Sequence, residues 1–210
     1  MQIAETPTID LAALQRTRKA VLLVGILLCV GFLLVGTSTW PGGTLVHEVI
    51  EWIGIALIIV AIVGRTWCAI YIGGRKAQVL TDTGPYSISR NPLYAFSILG
   101  AVGAGAQFGS IVMAVLGGLM ALFVFLLVVR KEEQALIKLL GPAYQSYLER
   151  VPRFVPDFSQ WRDVETLTVR PSLIVMTFFD ALVFSLALPL AEGAEFLHEQ
   201  GVLPSLLSLP

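Results

Sequence analysis

The sequence predicts an all-α integral membrane protein with about five transmembrane helices and a cytoplasmic helical cap between the fourth and fifth helices. Composition is the first reason: 56% of the 210 residues are hydrophobic and 14% are charged, whereas about a quarter of a soluble domain is charged. The second is that the apolar residues collect in runs near the ~20 residues that cross about 30 Å of hydrocarbon. The third is that almost all Lys and Arg residues lie outside those runs. Lipid is therefore the expected solvent.

Five apolar runs set the expected order of the spans. They cover roughly residues 20–36, 47–72, 93–107, 110–129 and 172–190. No small-residue cleavage site follows the first run, so we expect it to be retained as a span. The third run is short, and residues 107–110 could form a tight helical hairpin turn. A count of four spans with one re-entrant pair is therefore the alternative.

The positive charges predict the orientation of these spans. Lys and Arg precede the first span and recur in the polar segments 73–92 and 130–171. By contrast, residues 37–46, the turn at 107–110 and the tail 191–210 contain neither. Under the positive-inside rule the N-terminus is cytoplasmic, the C-terminus is outside, and a bacterial inner membrane is the expected location. Glutamates interleaved with apolar residues predict that the tail 191–210 lies on the outer interface.

Composition also bears on other classes of function. The sequence has no basic arm or patch suited to nucleic acid, so no nucleic-acid partner is predicted. Cys29 and Cys68 both lie inside apolar runs, which disfavours a disulfide scaffold and a four-ligand zinc site. A small transporter or a non-enzymatic assembly factor is the rival class, although the inverted repeats that favour transport are not detected.

Several ionisable residues lie in or at the ends of the predicted spans. Arg65 and Asp180 are functional candidates by position, and a structural buried pair is the alternative that we prefer. His47, Glu48 and Glu51 begin the second span on the outer side. They could bind a metal, but we predict interfacial capping there and no metal site.

The segment from Gly84 to Tyr94 carries the first candidate for chemistry. It opens with a Gly-Pro turn and ends in the run Arg90, Asn91, Pro92, Leu93 and Tyr94. Asn at the N-cap and Pro at the first helical position predict a helix start, so the N–H groups at this end of span three would favour an anionic group such as a carboxylate. A simple helix cap, with Arg90 and Tyr94 as interface anchors, is the alternative.

A second and a third candidate follow the fourth span. Arg130, Lys131, Glu132 and Glu133 lie where that span leaves the membrane. The two carboxylates are either solvated surface charges or acceptors for an ammonium group, ribose hydroxyls or an amine substrate. Residues 141–156 then combine Gly-Pro, two tyrosines and Val-Pro-Arg, which predicts an ordered cytoplasmic cap.

In order and spacing, these three motifs resemble the isoprenylcysteine carboxyl methyltransferase family over about residues 60–156. The related phospholipid N-methyltransferases share the Arg-(His/Asn)-Pro-x-Tyr and Glu-Glu elements. The resemblance implies a membrane-embedded methyltransferase that uses S-adenosylmethionine as the methyl donor. The residues implied to hold the donor are Gln78, Val79, Leu80, Thr81, Tyr86, Arg90, Asn91, Pro92, Leu93, Tyr94 and Glu132.

Two departures from the family pattern concern the methyl acceptor. Asn91 stands where the carboxyl methyltransferases usually have His, and Val128 stands where they have the arginine thought to hold the substrate carboxylate. We therefore expect a lipophilic or membrane-delivered acceptor, with a phospholipid, a small amine or a thiol as alternatives to a prenylcysteine carboxylate. Arg130 is the substrate-contact candidate, although it lies on another helix face than Val128. Glu133 is the candidate for handling a substrate amine or proton.

Overall fold

A computed structural model of the protein describes residues 36–73, 79–204 and 207–210. The described residues are mostly helical, and three helical stretches are long and apolar enough to cross a membrane: Leu45–Ile72, Ile111–Leu140 and Pro171–Glu199. The apolar helix Pro92–Ala106 is shorter. These helices confirm the all-α membrane fold class. The predicted first span, 20–36, lies outside the described residues except for Gly36.

The secondary structure contains seven α-helices and two short strands within the described residues. In chain order these are β1 Gly36–Ser38, α1 Leu45–Ile72, α2 Pro85–Ile88, α3 Pro92–Ala106, α4 Ile111–Leu140, α5 Pro142–Arg150, α6 Pro171–Ala181, α7 Ala187–Glu199 and β2 Leu207–Leu209. Short 3-10 turns occur at Phe158–Gln160 and at Leu182–Leu186, where the second joins α6 to α7.

Helix α3 lies at the centre of the helical packing, between α1 and α4. Small residues let α1 and α3 approach closely: a Cβ atom added at Gly103 would lie 2.6 Å from the carbonyl oxygen of Gly54. Helix α4 follows α3 after a tight turn at residues 107–110, where Gly109 has a φ of +59°. Ser110 caps α4 by accepting a hydrogen bond from the backbone N–H of Met113 at 3.3 Å. Helix α6 packs on the remaining side of α1.

Polar segments collect at the two ends of these helices. At one end, β1 and β2 pair in parallel, Ser38 donates a hydrogen bond to the Gly109 carbonyl, and Ser110 donates one to the carbonyl of Pro210. The segments without Lys or Arg therefore meet there. The opposite end carries α2, α5 and the loop that follows α5, so the two ends differ in positive charge. The cytoplasmic or outer identity of each end stays a prediction from the charge pattern.

The last helical stretch is longer than the apolar run from which it was predicted. The run ends near residue 190, but α7 continues through Ala191 to Glu199 before Gly201, at a φ of +70°, turns the chain. Residues 191–199 contain no proline or β-branched side chain, so nothing in their composition stops the helix. Residues Leu207–Leu209 of the tail form β2, which pairs in parallel with β1.

Candidate functional site

A buried junction between residues 84–91 and residues 147–162 forms the base of the cap. The carbonyl of Tyr86 accepts a hydrogen bond from the Tyr147 hydroxyl at 2.7 Å, and the backbone N–H of Arg90 donates to the Pro152 carbonyl at 2.8 Å. Ser87 and Ser89 are buried at the same junction. The third motif therefore folds back onto the first, which fixes the chain just before α3 begins.

Glu133, on α4, lies at the centre of a small ion-pair network. Its side chain is only 6% exposed. Arg153 donates to both carboxylate oxygens, from Nη2 at 2.7 Å and from Nε at 3.2 Å. The Nε of Arg90 lies 3.6 Å from the same carboxylate. Each of the three motifs of the sequence contributes one charged side chain to this network.

Asn91 occupies the N-cap position of α3, as its sequence position predicts, but its side chain does not cap the helix. The amide nitrogen Nδ2 instead donates to the carbonyl of Arg153 at 3.3 Å, and the backbone N–H of Asn91 donates to the same oxygen at 3.2 Å. Pro92 opens the helix at its first position. The predicted helix start is therefore observed, while the asparagine amide ties α3 to the cap.

Tyr94 faces α4 from the first turn of α3. Its ring stacks on Phe125 with the ring centroids 4.7 Å apart, and both pack with Val128 and Val129 in one buried cluster. Glu132 follows Val128 by one helical turn, so the two side chains share a face of α4. Tyr94 and Glu132, two residues implied to hold the donor, are thus brought to the same end of the α3–α4 pair.

Tyr86 completes this group from α2. Burial raises the pKa of the Tyr86 phenol well above its ordinary value, and the negative charge of Glu132 acts in the same direction. Leu93 packs against two clusters, that of Cys68, Tyr71 and Tyr86 and that around Tyr94. The predicted donor residues from Tyr86 to Tyr94 therefore form one continuous region with Glu132 beside it.

The other residues implied to hold the donor lie less centrally. Val79 is 63% exposed, Thr81 is half-buried, and Leu80 packs against the cluster of Tyr144, Tyr147 and Val151. Gln78 lies outside the described residues. The structure thus places Leu80 against the cap, on a different cluster from Tyr94.

Arg130 and Glu133 differ in exposure although they are close in sequence. Arg130 is exposed on α4, whereas Glu133 is buried and paired with arginines. The principal partner of Glu133, Arg153, was missed in the sequence interpretation. Its signal was the basic side chain directly after Val151-Pro152, a turn that predicts order but not the direction of the side chain.

Comparison with known proteins identifies the family. Residues 49–143 match the family model described as phospholipid methyltransferase. The chain is 34% identical over 196 residues to the cobalt-zinc-cadmium resistance protein CzcN of Cupriavidus metallidurans, covering 93% of this chain and 90% of that protein. It is 33% identical over 178 residues to the nickel-cobalt-cadmium resistance protein NccN of Alcaligenes xylosoxydans xylosoxydans, covering 85% of this chain and 83% of that protein. The chain belongs to the family of CzcN and NccN. No solved structure matches it.

The family-model match supports a membrane methyltransferase at the level of the phospholipid methyltransferase family. The matched region runs from α1 to the start of α5 and contains Tyr86, the α3 start and both glutamates, but it ends before Arg153. The expected resemblance to a membrane methyltransferase family is therefore confirmed at this coarse level. Membership of the isoprenylcysteine carboxyl methyltransferase branch remains a prediction.

The ionisable residues in and near the spans have local partners of their own. Arg65 on α1 donates to the Ser97 hydroxyl of α3, while Asp180 is exposed on α6. At the other end of α1, His47 Nδ1 lies 3.0 Å from the Trp40 carbonyl and Nε2 lies 3.2 Å from Glu51. The preferred buried pair of Arg65 and Asp180 is therefore corrected, because Asp180 lies on an exposed face of α6. The His47 contacts lie at the start of α1, where capping was predicted.

Proposed function

We propose that this protein transfers a methyl group from S-adenosylmethionine to a lipophilic acceptor at the membrane. The observation that carries the proposal is that Tyr86, the start of α3 and Glu132 are gathered at one end of α3 and α4, inside the region that matches the phospholipid methyltransferase family. Tyr94 lies in the same group through its contacts with Val128.

The residue types in this group fit the chemistry of the donor. Its carboxylate suits the positive end of a 15-residue helix such as α3. Its ribose hydroxyls suit a carboxylate acceptor such as Glu132, and its adenine suits apolar and aromatic side chains such as Leu93 and Tyr94. Gln78, Val79, Leu80 and Thr81 stay proposed donor contacts through the family resemblance.

The reaction needs alignment more than acid–base chemistry. An acceptor lone pair attacks the methyl carbon as the bond from carbon to the sulfonium sulfur breaks, which leaves a neutral thioether; a protonated acceptor also loses its proton. Because the leaving group is already charged in the donor, positioning and exclusion of water can supply much of the barrier reduction. We assign no general base among the residues of this site.

The surroundings of Val128 support an acceptor without a carboxylate. Val128 is 4% exposed, and its cluster partners Tyr94, Phe125 and Val129 carry no cation. A prenylcysteine carboxylate would find no arginine at position 128. A phospholipid, amine or thiol acceptor loses nothing from this difference, so these acceptors are the alternatives to carboxyl methylation.

Binding of radiolabelled S-adenosylmethionine to the full-length protein in detergent tests the proposal. We expect saturable binding, and we expect Tyr94→Ala to weaken it by about 1–3 kcal/mol, the scale of a lost hydrogen bond and its packing. Phe179→Ala, which changes an exposed aromatic side chain on α6, is the control and should bind as the wild type does. No saturable binding by the folded wild type would contradict the proposal.

A role in resistance to divalent metal ions is a second candidate function. It is favoured by the matches to CzcN and NccN, whose names describe such resistance and most of whose lengths are covered. The two functions are compatible, because a membrane component that has been methylated can contribute to metal resistance. Growth of a deletion strain on cobalt, zinc, cadmium and nickel tests this role, and growth equal to that of the parent strain on all four would contradict it.

A further inference from the structure

Glu133 is held by two arginines, Arg153 of the cap and Arg90 just before α3. Arg153 binds both oxygens of its carboxylate in a forked arrangement, at 2.7 and 3.2 Å, and Arg90 adds a third contact at 3.6 Å. Forked contacts of this kind fix the relative orientation of the two groups more tightly than a single contact does. The side chain is buried, so water competes little for these bonds.

Both arginines are also part of the backbone junction that holds the start of α3. The Arg153 carbonyl accepts hydrogen bonds from the backbone N–H and the side-chain amide of Asn91. Arg90 donates from its side chain to the Leu148 carbonyl at 3.0 Å and immediately precedes Asn91. An unbroken chain of polar contacts therefore runs from Glu133 on α4, through Arg153, to the N-cap of α3.

We infer that Glu133 is a positioning residue that sets the start of α3 relative to Glu132 on α4. This inference rests on the proposed function, in which Asn91–Tyr94 and Glu132 hold the methyl donor from two helices. Glu133 is the neighbour of Glu132 in the chain and the anchor of Arg153, so it joins the two halves of that pocket. When Glu133 loses its charge, each half of the pocket stays intact, but the start of α3 is no longer fixed relative to Glu132.

The same contacts argue against Glu133 as the group that handles a proton of the acceptor. Guanidinium groups lie against both carboxylate oxygens, so both oxygens are directed at the arginines and not at a substrate. A contribution to stability alone is a weaker explanation, because apolar residues of similar volume often replace a buried ion pair without loss of stability. The need to fix α3 relative to α4 explains why a charged side chain is buried at position 133.

The test measures donor affinity and turnover separately in the full-length protein in detergent. For Glu133→Gln we expect donor binding to weaken on the order of tenfold, equivalent to about 1.4 kcal/mol, within the range for members of one polar network. Turnover at saturating donor should fall much less. Glu133→Asp, which keeps the charge, should restore part of the affinity. Glu51→Gln, which removes a carboxylate from the His47 pair at the opposite end of α1, is the matched control and should bind normally.

A double-mutant cycle with Arg153→Gln separates positioning from other effects. If the pair acts as one unit, the double variant binds the donor no more weakly than either single variant. Additive losses, wild-type affinity in Glu133→Gln, or lost turnover with intact donor affinity would each overturn the inference. If Glu133→Gln does not fold, Arg153→Lys keeps the charge but loses the fork and should still weaken binding, and unchanged affinity there would overturn the inference. A wild type that binds no donor would instead refute the proposed function, and the inference with it.

Discussion

Two residues on α4 have different roles in the proposed site: Val128 in the choice of acceptor and Glu132 in donor binding. The two side chains lie one helical turn apart on the same face, and Val128 lies in the cluster around Tyr94. In the proposed function Glu132 contacts the donor, and Val128 is the position at which the choice of acceptor is tested.

Val128→Arg should alter acceptor choice. A carboxylate acceptor meets no cation at Val128, and a charge-assisted hydrogen bond of about 1.5–3 kcal/mol is missing. We therefore expect the wild type to methylate a prenylcysteine analogue poorly and Val128→Arg to improve it, whereas Val128→Met should not. Glu132→Gln should weaken donor binding in the same assays. Efficient turnover of the analogue by the wild type would overturn this specificity argument and favour carboxyl methylation.

For single residues, the sequence predicted the features that depend only on neighbouring residues in the chain. The Asn-Pro helix start and the neighbouring glutamates could be read directly, because capping and helical spacing are local properties. The direction of the Asn91 amide could not, since its partner is the Arg153 carbonyl, 62 residues away along the chain. A separation of 20 residues likewise concealed the Glu133–Arg153 pair.

At the scale of elements, the contact between α1 and α3 depends on the absence of side chains. A Cβ atom at Gly103 would lie 2.6 Å from the Gly54 carbonyl oxygen and 3.0 Å from the backbone nitrogen of Ile58, so backbone atoms would have to move. We expect Gly103→Ala to destabilise the protein by about 1–3 kcal/mol, the usual cost of overpacking.

Gly193→Ala is the matched control for this prediction. A Cβ atom there meets nothing within 4 Å, so the higher helix propensity of Ala should leave stability unchanged or raise it by about 0.5–1 kcal/mol. The fraction of monodisperse protein that survives heating in detergent measures both changes. Equal stability of the two variants would mean that α1 and α3 are not as close as described.

The cap should lose stability in alkaline solution. Burial raises the pKa of Tyr144 from 10.0 to about 12, with the nearby Glu133 charge adding to the shift, and burial also raises the pKa of Tyr147. Folding therefore favours the protonated phenols. The resulting stability is complete below about pH 10 and is lost as the pH rises through 12.

Phenolate absorbance and near-ultraviolet circular dichroism, followed from neutral pH to above pH 12, measure this loss. Tyr147→Phe is the useful comparison, because it removes one titrating phenol together with the hydrogen bond to the Tyr86 carbonyl. The folded variant should be less stable than the wild type at neutral pH. It should lose less of its stability than the wild type as the pH rises. Ionisation of all the tyrosines near pH 10 without loss of structure would contradict the description of the cap.

The helices themselves were largely predictable, and their ends less so. Apolar runs predicted α1, α3 and the start of α4 to within a few residues, because hydropathy and turn residues are local signals, whereas α4 continues past the end of its run at residue 129 to Leu140. The pairing of β1 with β2 was not predicted. It joins Gly36–Ser38 to Leu207–Leu209, and two three-residue strands so far apart leave no periodic pattern in the sequence.

At the scale of the whole molecule, charge separates the two ends of the helices. The end with β1, β2 and the 107–110 turn has no Lys or Arg in its described connecting segments, whereas the opposite end holds Arg90 before α3 and Arg150, Arg153 and Arg162 in the cap. A reporter fused after Pro210 should therefore be active only outside the cytoplasm, and one inserted near Ser159 should report the cytoplasm. A cytoplasmic signal from the C-terminal fusion would imply an even number of spans and refute the five-span topology.

The proposed site lies at the cap end of α3 and α4, where a cytosolic donor and a membrane acceptor can meet if this topology holds. Transfer of the labelled methyl group of S-adenosylmethionine in liposomes containing the purified protein tests this central claim most directly. We predict that label enters the lipid-extractable fraction with the wild type and with Phe179→Ala, and much less with Tyr94→Ala or Glu132→Gln. A wild type that is folded and inserted but labels no more than empty liposomes, across carboxylate, amine, thiol and phospholipid acceptors, would contradict the claim.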